Sequence, residues 1–279
     1  MSRLARAGRS PRPIGQPTRG KTALNRLRQI DIYVALRLES LLRGGSPLIV
    51  DVGYGAYAWT ALEMVERLGR INAKVRLLGL EIDPQRVEAA QYYVDPPRLD
   101  FRLGGFNVTD ALNGERARLI RCYNVLRQYD EAAVVPALQQ MADGLEPGGV
   151  LIEGTSNPSG RLVAFDVYQN EPEGLLHRAL VFGTNFRAPV EAVDFQAILP
   201  KRLIHHMRDD STENAPISPA RFFADWQREW VLRRVPDQVA APRPTWIAVG
   251  EALLGRYPIS RHPGLLRRGY LELRTALLA

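Results

Sequence analysis

The residues with the best claim to chemistry lie in Leu48 to Thr60, which reads LIVDVGYGAYAWT. Asp51 follows the apolar run Leu48-Ile49-Val50 and precedes two glycines one residue apart, Gly53 and Gly55. A second apolar run, Val75 to Leu80, ends in Glu81-Ile82-Asp83-Pro84. Glycines after a strand let the chain turn tightly and let a ligand reach the main chain. A helix opening behind them offers free N–H groups and partial positive charge. An acid closing the neighbouring parallel strand, here Glu81, can accept hydrogen bonds from both ribose hydroxyls of a nucleoside. Ligands of open α/β sheets bind outside the carboxyl ends of the strands, where these residues fall.

Two cofactor classes compete for this loop. Gly53-x-Gly55-x-x-Ala58 satisfies the dinucleotide fingerprint, which supports an NAD-type oxidoreductase or another nucleotide binder. Three features count against NAD. Asp51 sits where a carboxylate would repel a pyrophosphate but could hold a cationic group. Bulky Tyr57 and Trp59 continue the loop, and the alternating unit ends in Pro147-Gly148-Gly149.

Three blocks carry a family resemblance: Asp51-Val52-Gly53-Tyr54-Gly55, Gly79-Leu80-Glu81-Ile82-Asp83 and Leu145-Glu146-Pro147-Gly148-Gly149-Val150-Leu151. In type, order and spacing they resemble the class I S-adenosylmethionine-dependent methyltransferases over residues 45–155. The whole chain, including Gly20-Lys21-Thr22 and Leu199-Pro200-Lys201, is similar to a bacterial methyltransferase-like group of unassigned substrate. The resemblance implies a Rossmann-like doubly wound α/β sheet of about seven strands, S-adenosylmethionine as cofactor and methyl transfer as the activity. It implies Asp51, Gly53, Tyr54 and Gly55 near the methionine moiety, Glu81 on the ribose with Ile82 beside it, and Phe106 against the adenine. Cys122 and Asn124 correspond to the segment lining the donor and acceptor site. That segment is not the Asn-Pro-Pro-Tyr type that methylates exocyclic amines of bases, and it is more like that of enzymes acting on small molecules. The chain departs from the family at Gly105, where members often carry an acid for the adenine, and at Tyr57, where a third glycine is common.

The elements that must position these residues follow from periodicity. Apolar residues from Leu24 to Leu42 recur at three- and four-residue steps, which predicts an amphipathic helix over residues 21–45. Strands are expected in the opening stretch, on the apolar run Leu48-Ile49-Val50, and at Val75–Glu81, Leu99–Leu103, Arg118–Tyr123 and Val150–Glu153. Helices between them start at Ala58, at Pro84 with Asp83 as N-cap, and at about Asp130. Residues 46–155 thus form the nucleoside-binding core. Residues 156–279 complete the sheet as a β-rich and helical extension and cover the acceptor site. Within them Arg161–Gln169, Ala179–Phe186 and Val193–Leu199 read as strands, the first two antiparallel. A helix opens at Ser218-Pro219, another has Thr245 as its N-cap, and Gly264–Leu278 reads as helical.

Composition sets the remaining bounds. The net charge is +7, yet residues 1–30 carry eight basic residues and no acid, so the body is close to neutral. Residues 1–20 are too poor in apolar groups to repay ordering and read as a disordered basic tail. Nucleic acid bound through residues 1–30 therefore stays open as a partner, with RNA modification or RNA binding as an alternative function. No apolar run reaches about 18 residues, so neither a membrane span nor a membrane partner is expected. A single cysteine, Cys122, excludes an internal disulfide and fits a cytoplasmic protein. No metal site is expected, because adjacent His205 and His206 point to different faces. Glu153 closes the fifth strand and is a candidate acceptor-site acid. Tyr54, Tyr57 and Trp59 wall the pocket or pack the core, and Phe222, Trp226 and Trp230, four apart, read as a packed helix face. No motif identifies the acceptor or a general base.

Overall fold

The computed structural model describes residues 12–188, 190–206, 218–234 and 242–274. Among them five parallel strands come first: β1 (Leu48–Val52), β2 (Arg76–Glu81), β3 (Leu99–Leu103), β4 (Ala117–Tyr123) and β5 (Leu145–Ser156). Three antiparallel strands extend the sheet, β6 (Leu162–Glu171), β7 (Gly174–Thr184) and β8 (Tyr270–Arg274). The order is β3-β2-β1-β4-β5-β6-β7-β8. This is the expected Rossmann-like α/β sheet with eight strands in place of about seven. Strand order reverses between β1 and β4, the switch point at which such sheets bind ligands.

Both faces are covered. One face carries α1 (Arg28–Arg37), α3 (Trp59–Gly69) and α4 (Pro84–Ala90), whose buried sides join Ile49, Leu77, Phe101, Leu119 and Val150 in one core. The short α2 (Glu39–Leu42) follows α1, and α4 is capped by Asp83 as expected, its carboxylate accepting from Gln85 N at 2.9 Å. On the other face α5 (Val134–Ala142) packs against Val50, Ile120 and Leu151. Beyond it, α6 (Lys201–His206), α7 (Pro219–Arg233) and α8 (Pro242–Leu253) cover β6 to β8. Phe182 of β7 is the centre of that last core, with the rings of Phe195, Phe222, Phe223 and Trp226 within 5.0–6.0 Å of it. The aromatic face of α7 is thus core packing.

The structure differs from the expectation in five places. Residues 12–20 are not a loose tail; they are laid across the sheet's carboxyl end, while residues 1–11 lie outside the described residues. The N-terminal helix begins only at Arg28 and breaks at Leu38. Val193–Leu199 is not a strand, because Glu191 and Asp194 cap each other's backbone and wind Ala192–Ile198 into a 3₁₀ turn. Thr245 lies inside α8 and does not cap it. In the C-terminal segment, where residues 275–279 lie outside the described residues, Tyr270–Arg274 forms β8 in place of a helix. Its Tyr270 and Glu272 face α1, where Tyr270 Oη donates to Gln29 O at 2.7 Å and Glu272 accepts from Tyr33 and Arg37. Leu271 and Leu273 alternate to the opposite core.

Candidate functional site

The glycine turn closes over Glu81. Gly53 and Gly55 have φ of +72° and +92°, conformations that a side chain strains, and a Cβ on Gly55 would lie 2.9 Å from Gly20 O. Gly55 N–H donates to Glu81 Oε2 at 3.0 Å. Ile82 and Asp83 N–H donate to Oε1 at 3.0 and 3.3 Å, and Arg86 Nη1 stands 3.6 Å from the same oxygen. Glu81 therefore fastens the loop after β1 to the end of β2, and it is almost fully buried. Tyr54 packs beneath the loop with its ring edge on Phe101, and burial beside Glu81 and Asp51 pushes its phenol pKa well up.

Asp51 is held from below. It pairs in register with Arg121 of β4, so both side chains share a face. Arg121 donates to both Asp51 oxygens at 2.8 Å and to Asp31 Oδ1 at 2.7 Å, and Arg67 reaches Asp31 Oδ2 at 2.7 Å. Two buried carboxylates thus share two guanidinium groups. The forked geometry satisfies charges that would otherwise be costly to bury. The two acids keep the Arg121 pKa raised against its own desolvation. Arg121 escaped the sequence reading. Its signal was an arginine set between Ile120 and Cys122, deep in a central strand, a residue type rarely buried unless paired.

Residues 12–20 form a strap over the nucleoside end of this cleft. Phe106 N–H donates to Ile14 O at 2.8 Å, and Ile14 N–H donates to Asn107 Oδ1 at 2.7 Å. Tyr129 Oη accepts from Gln16 N at 2.6 Å and donates to Gln16 O at 2.9 Å. Arg86 Nη2 donates to Thr18 O at 3.0 Å, and Ala56 N–H to Gly20 O at 2.9 Å. Gly105 admits the strap, since a Cβ there would lie 2.1 Å from Ile14 O. The space left between the strap and Glu81, Ile82 and Phe106 is a cavity of about 20 Å³, room for roughly one water.

Beside the strap, a cavity of about 470 Å³ opens over the carboxyl ends of β1, β4 and β5. Asp51, Gly53, Tyr54, Gly55 and Asn124 line it, together with Thr155 and Ser156 at the end of β5 and Asn157 just after it. Asn124, at φ +61°, takes Ser156 N–H on Oδ1 at 2.9 Å and donates to Ser156 Oγ at 3.1 Å. Ala197 and Ile198 of the C-terminal region close one wall.

The structure thus gathers Asp51, Gly53, Tyr54, Gly55 and Asn124 around one cavity, and Gly53, Glu81, Ile82 and Phe106 around the strap. Cys122 is not among them. It lies in the core under α5, where burial raises its thiol pKa well above the ordinary range. Glu153 does not face the cleft either, because strand alternation pairs it with Cys122 and Asp166 on the opposite face. Burial there, with Asp166 adjacent, lifts its carboxyl pKa to about 8. Tyr57 is exposed and stacks on Trp59 at 4.5 Å. The side chains of His205 and His206 lie outside the described residues. No group of three His, Cys, Asp or Glu with metal-holding geometry occurs among the described residues, and no helix among them is long and apolar enough to cross a membrane.

No family model matches the chain, and no curated protein sequence matches it. Solved structures match part of the chain. The DszA carbon methyltransferase is 18% identical with a TM-score of 0.37, over 47% of this chain and 34% of its own. The plantazolicin methyltransferase BamL, in complex with a desmethyl analogue and SAH, is 14% identical with a TM-score of 0.37, over 47% of each chain. LepI in complex with SAM is 17% identical with a TM-score of 0.35, over 43% of this chain and 30% of its own. The chain spans less than half the length of each of these three structures.

Proposed function

We propose that this protein transfers a methyl group from S-adenosylmethionine to a small-molecule acceptor. The observation that carries the reading is the loop after β1 tied to the acid that ends β2, Gly55 N–H to Glu81, beside an open cavity at the sheet's switch point. When bound, the donor supplies a methyl group already activated on a sulfonium. The protein's part is then mainly placement of the acceptor in line with it. Glu81, Ile82 and Phe106 would hold the nucleoside, and the Gly53–Gly55 turn and Tyr54 the methionine end. Asn124 and Ser156 offer hydrogen bonds to an acceptor in the same cavity. Glu81, Ile82, Phe106 and the Gly53–Gly55 turn fit the donor in residue type, but the strap covers the nucleoside end, so donor binding requires residues 12–20 to move.

Calorimetry with S-adenosylmethionine, S-adenosylhomocysteine and NAD tests the class. Binding of the first two without NAD is expected. Tight NAD binding with no affinity for either methionine nucleoside would sink the reading. The filled nucleoside end favours one rival, a non-catalytic protein on the same fold. Donor binding that persists with no turnover across a broad acceptor set would select it.

A further inference from the structure

The 470 Å³ cavity has a charge pattern that the donor reading does not use. Arg19, Lys21, Arg26 and Arg127 line it, and none has a carboxylate partner among the described residues. Half-buried arginines elsewhere are paired, as Arg37, Arg67, Arg102, Arg118 and Arg202 show. The one acid of the lining is Asp51, and both its oxygens are taken by Arg121.

Arg26 is the half-buried member of the set. Its Nε donates to Ser156 Oγ at 3.2 Å and its Nη1 to Lys21 O at 2.6 Å, which leaves Nη2 without a protein partner among the described residues. Ser156 Oγ also accepts from Asn124, so the guanidinium is fixed at the end of β5, on the side away from Glu81. Burial acts against its charge and lowers its pKa. A half-buried guanidinium without a counter-charge is completed by an oxyanion, which takes parallel N–H bonds from such a fork.

We propose that this cavity binds an anionic acceptor through a carboxylate or phosphate held by Arg26, with Arg127 and Lys21 adding field at the rim. The proposal rests on the methyltransferase reading only in calling the ligand an acceptor. Ligand-observed NMR on the full chain tests it with benzoate and phenyl phosphate against benzyl alcohol and phenol. The anionic probes should bind and the neutral ones should not, and whichever anion binds more tightly identifies the group. Arg26→Gln should weaken that anion by roughly tenfold or more, and Arg26→Lys by less. Equal binding of neutral and anionic probes, or an unchanged affinity in Arg26→Gln, would overturn the proposal. Should Arg26→Gln unfold, Arg127→Gln at the exposed rim replaces it. A few-fold loss of anion affinity is then expected, and no loss refutes it.

Calorimetry with S-adenosylhomocysteine and 5′-methylthioadenosine separates the sources of a carboxylate. Arg26→Gln should leave both affinities unchanged. Loss for the first alone would assign Arg26 to the donor's own carboxylate and overturn the acceptor assignment. Anion binding without any nucleoside binding would leave the anion site standing and remove the methyltransferase reading.

Discussion

Loosening the strap should tighten nucleoside binding. Tyr129 Oη makes two hydrogen bonds to the backbone of Gln16, at 2.6 and 2.9 Å. At about 1 kcal/mol each, Tyr129→Phe shifts the closed–open balance of residues 12–20 by about 2 kcal/mol, roughly 30-fold. While the closed form dominates, the apparent Kd varies inversely with the open fraction. S-adenosylhomocysteine should therefore bind up to roughly 30-fold more tightly to the variant. Tyr129 borders the nucleoside end itself, so a second variant acts from the strap alone. Gly15 has φ +135°, and a Cβ there would lie 3.0 Å from Tyr129 Oη. Gly15→Val should disfavour closure by about 1–3 kcal/mol and leave the cleft unaltered. Isothermal calorimetry reads both affinities, and amide exchange at Gln16 and Phe106 should quicken when the nucleoside binds. Equal or weaker affinity in Gly15→Val, with those two amides as protected in the complex as without it, would refute a strap that must open.

Three further outcomes follow from the buried charges. Arg121→Met leaves Asp31 and Asp51 buried without their shared partner and should cost about 3–5 kcal/mol, read as a fall in urea midpoint; a loss below about 1 kcal/mol would show that the cluster does not hold the loop. Glu81→Gln offers one acceptor oxygen to three N–H donors, so about 1–3 kcal/mol of stability and roughly tenfold in S-adenosylhomocysteine affinity should be lost; unchanged affinity would remove Glu81 from the nucleoside site. Glu153 keeps its proton to about pH 8 in the folded state, whereas the unfolded carboxyl releases it near its ordinary pKa. The native state then binds more protons between those values, so stability falls as pH rises from about 4.5 to 8, and Glu153→Gln should flatten that fall and raise the Tm at pH 8. Parallel Tm–pH profiles for the two proteins would contradict it.

The five parallel strands were legible because each is a short run that is mostly apolar or alternates apolar with polar residues, and local pattern sufficed. Asp83 capping α4 was legible for the same reason. The segments that misled are those whose conformation is set by distant partners. Tyr270 to Arg274 becomes a strand because β7 leaves an edge beside it and α1 supplies Tyr33, Arg37 and Gln29 for its polar side chains. Ile14 and Gln16 look like part of a polar tail until Asn107, Phe106 and Tyr129 supply the hydrogen bonds their backbone needs. No periodicity within residues 12–20 encodes those contacts, which reach across about ninety to a hundred and ten residues of chain.

Asp51 shows how far a motif carries and where it stops. The sequence marks it as an acid placed to hold a cation at the methionine end of the loop. The structure supplies a cation from the chain itself, Arg121, at 2.8 Å to each oxygen. Arg121 and Arg67 bracket Asp31 and Asp51, with Glu63 also on Arg67 at 3.3 Å, so Asp51 presents no free carboxylate to the cleft. The field inside the cavity is then set by the unpaired cations on its walls, and Arg26 stands closest to the end of β5. Coulomb attraction from such a wall is strong for an anion and absent for a neutral ligand, and it is only partly screened where the guanidinium is half-buried. Specificity in this cleft therefore follows from which acids the fold has already neutralised. That depends on a pairing between β1, β4 and α1, and no single stretch of sequence contains it.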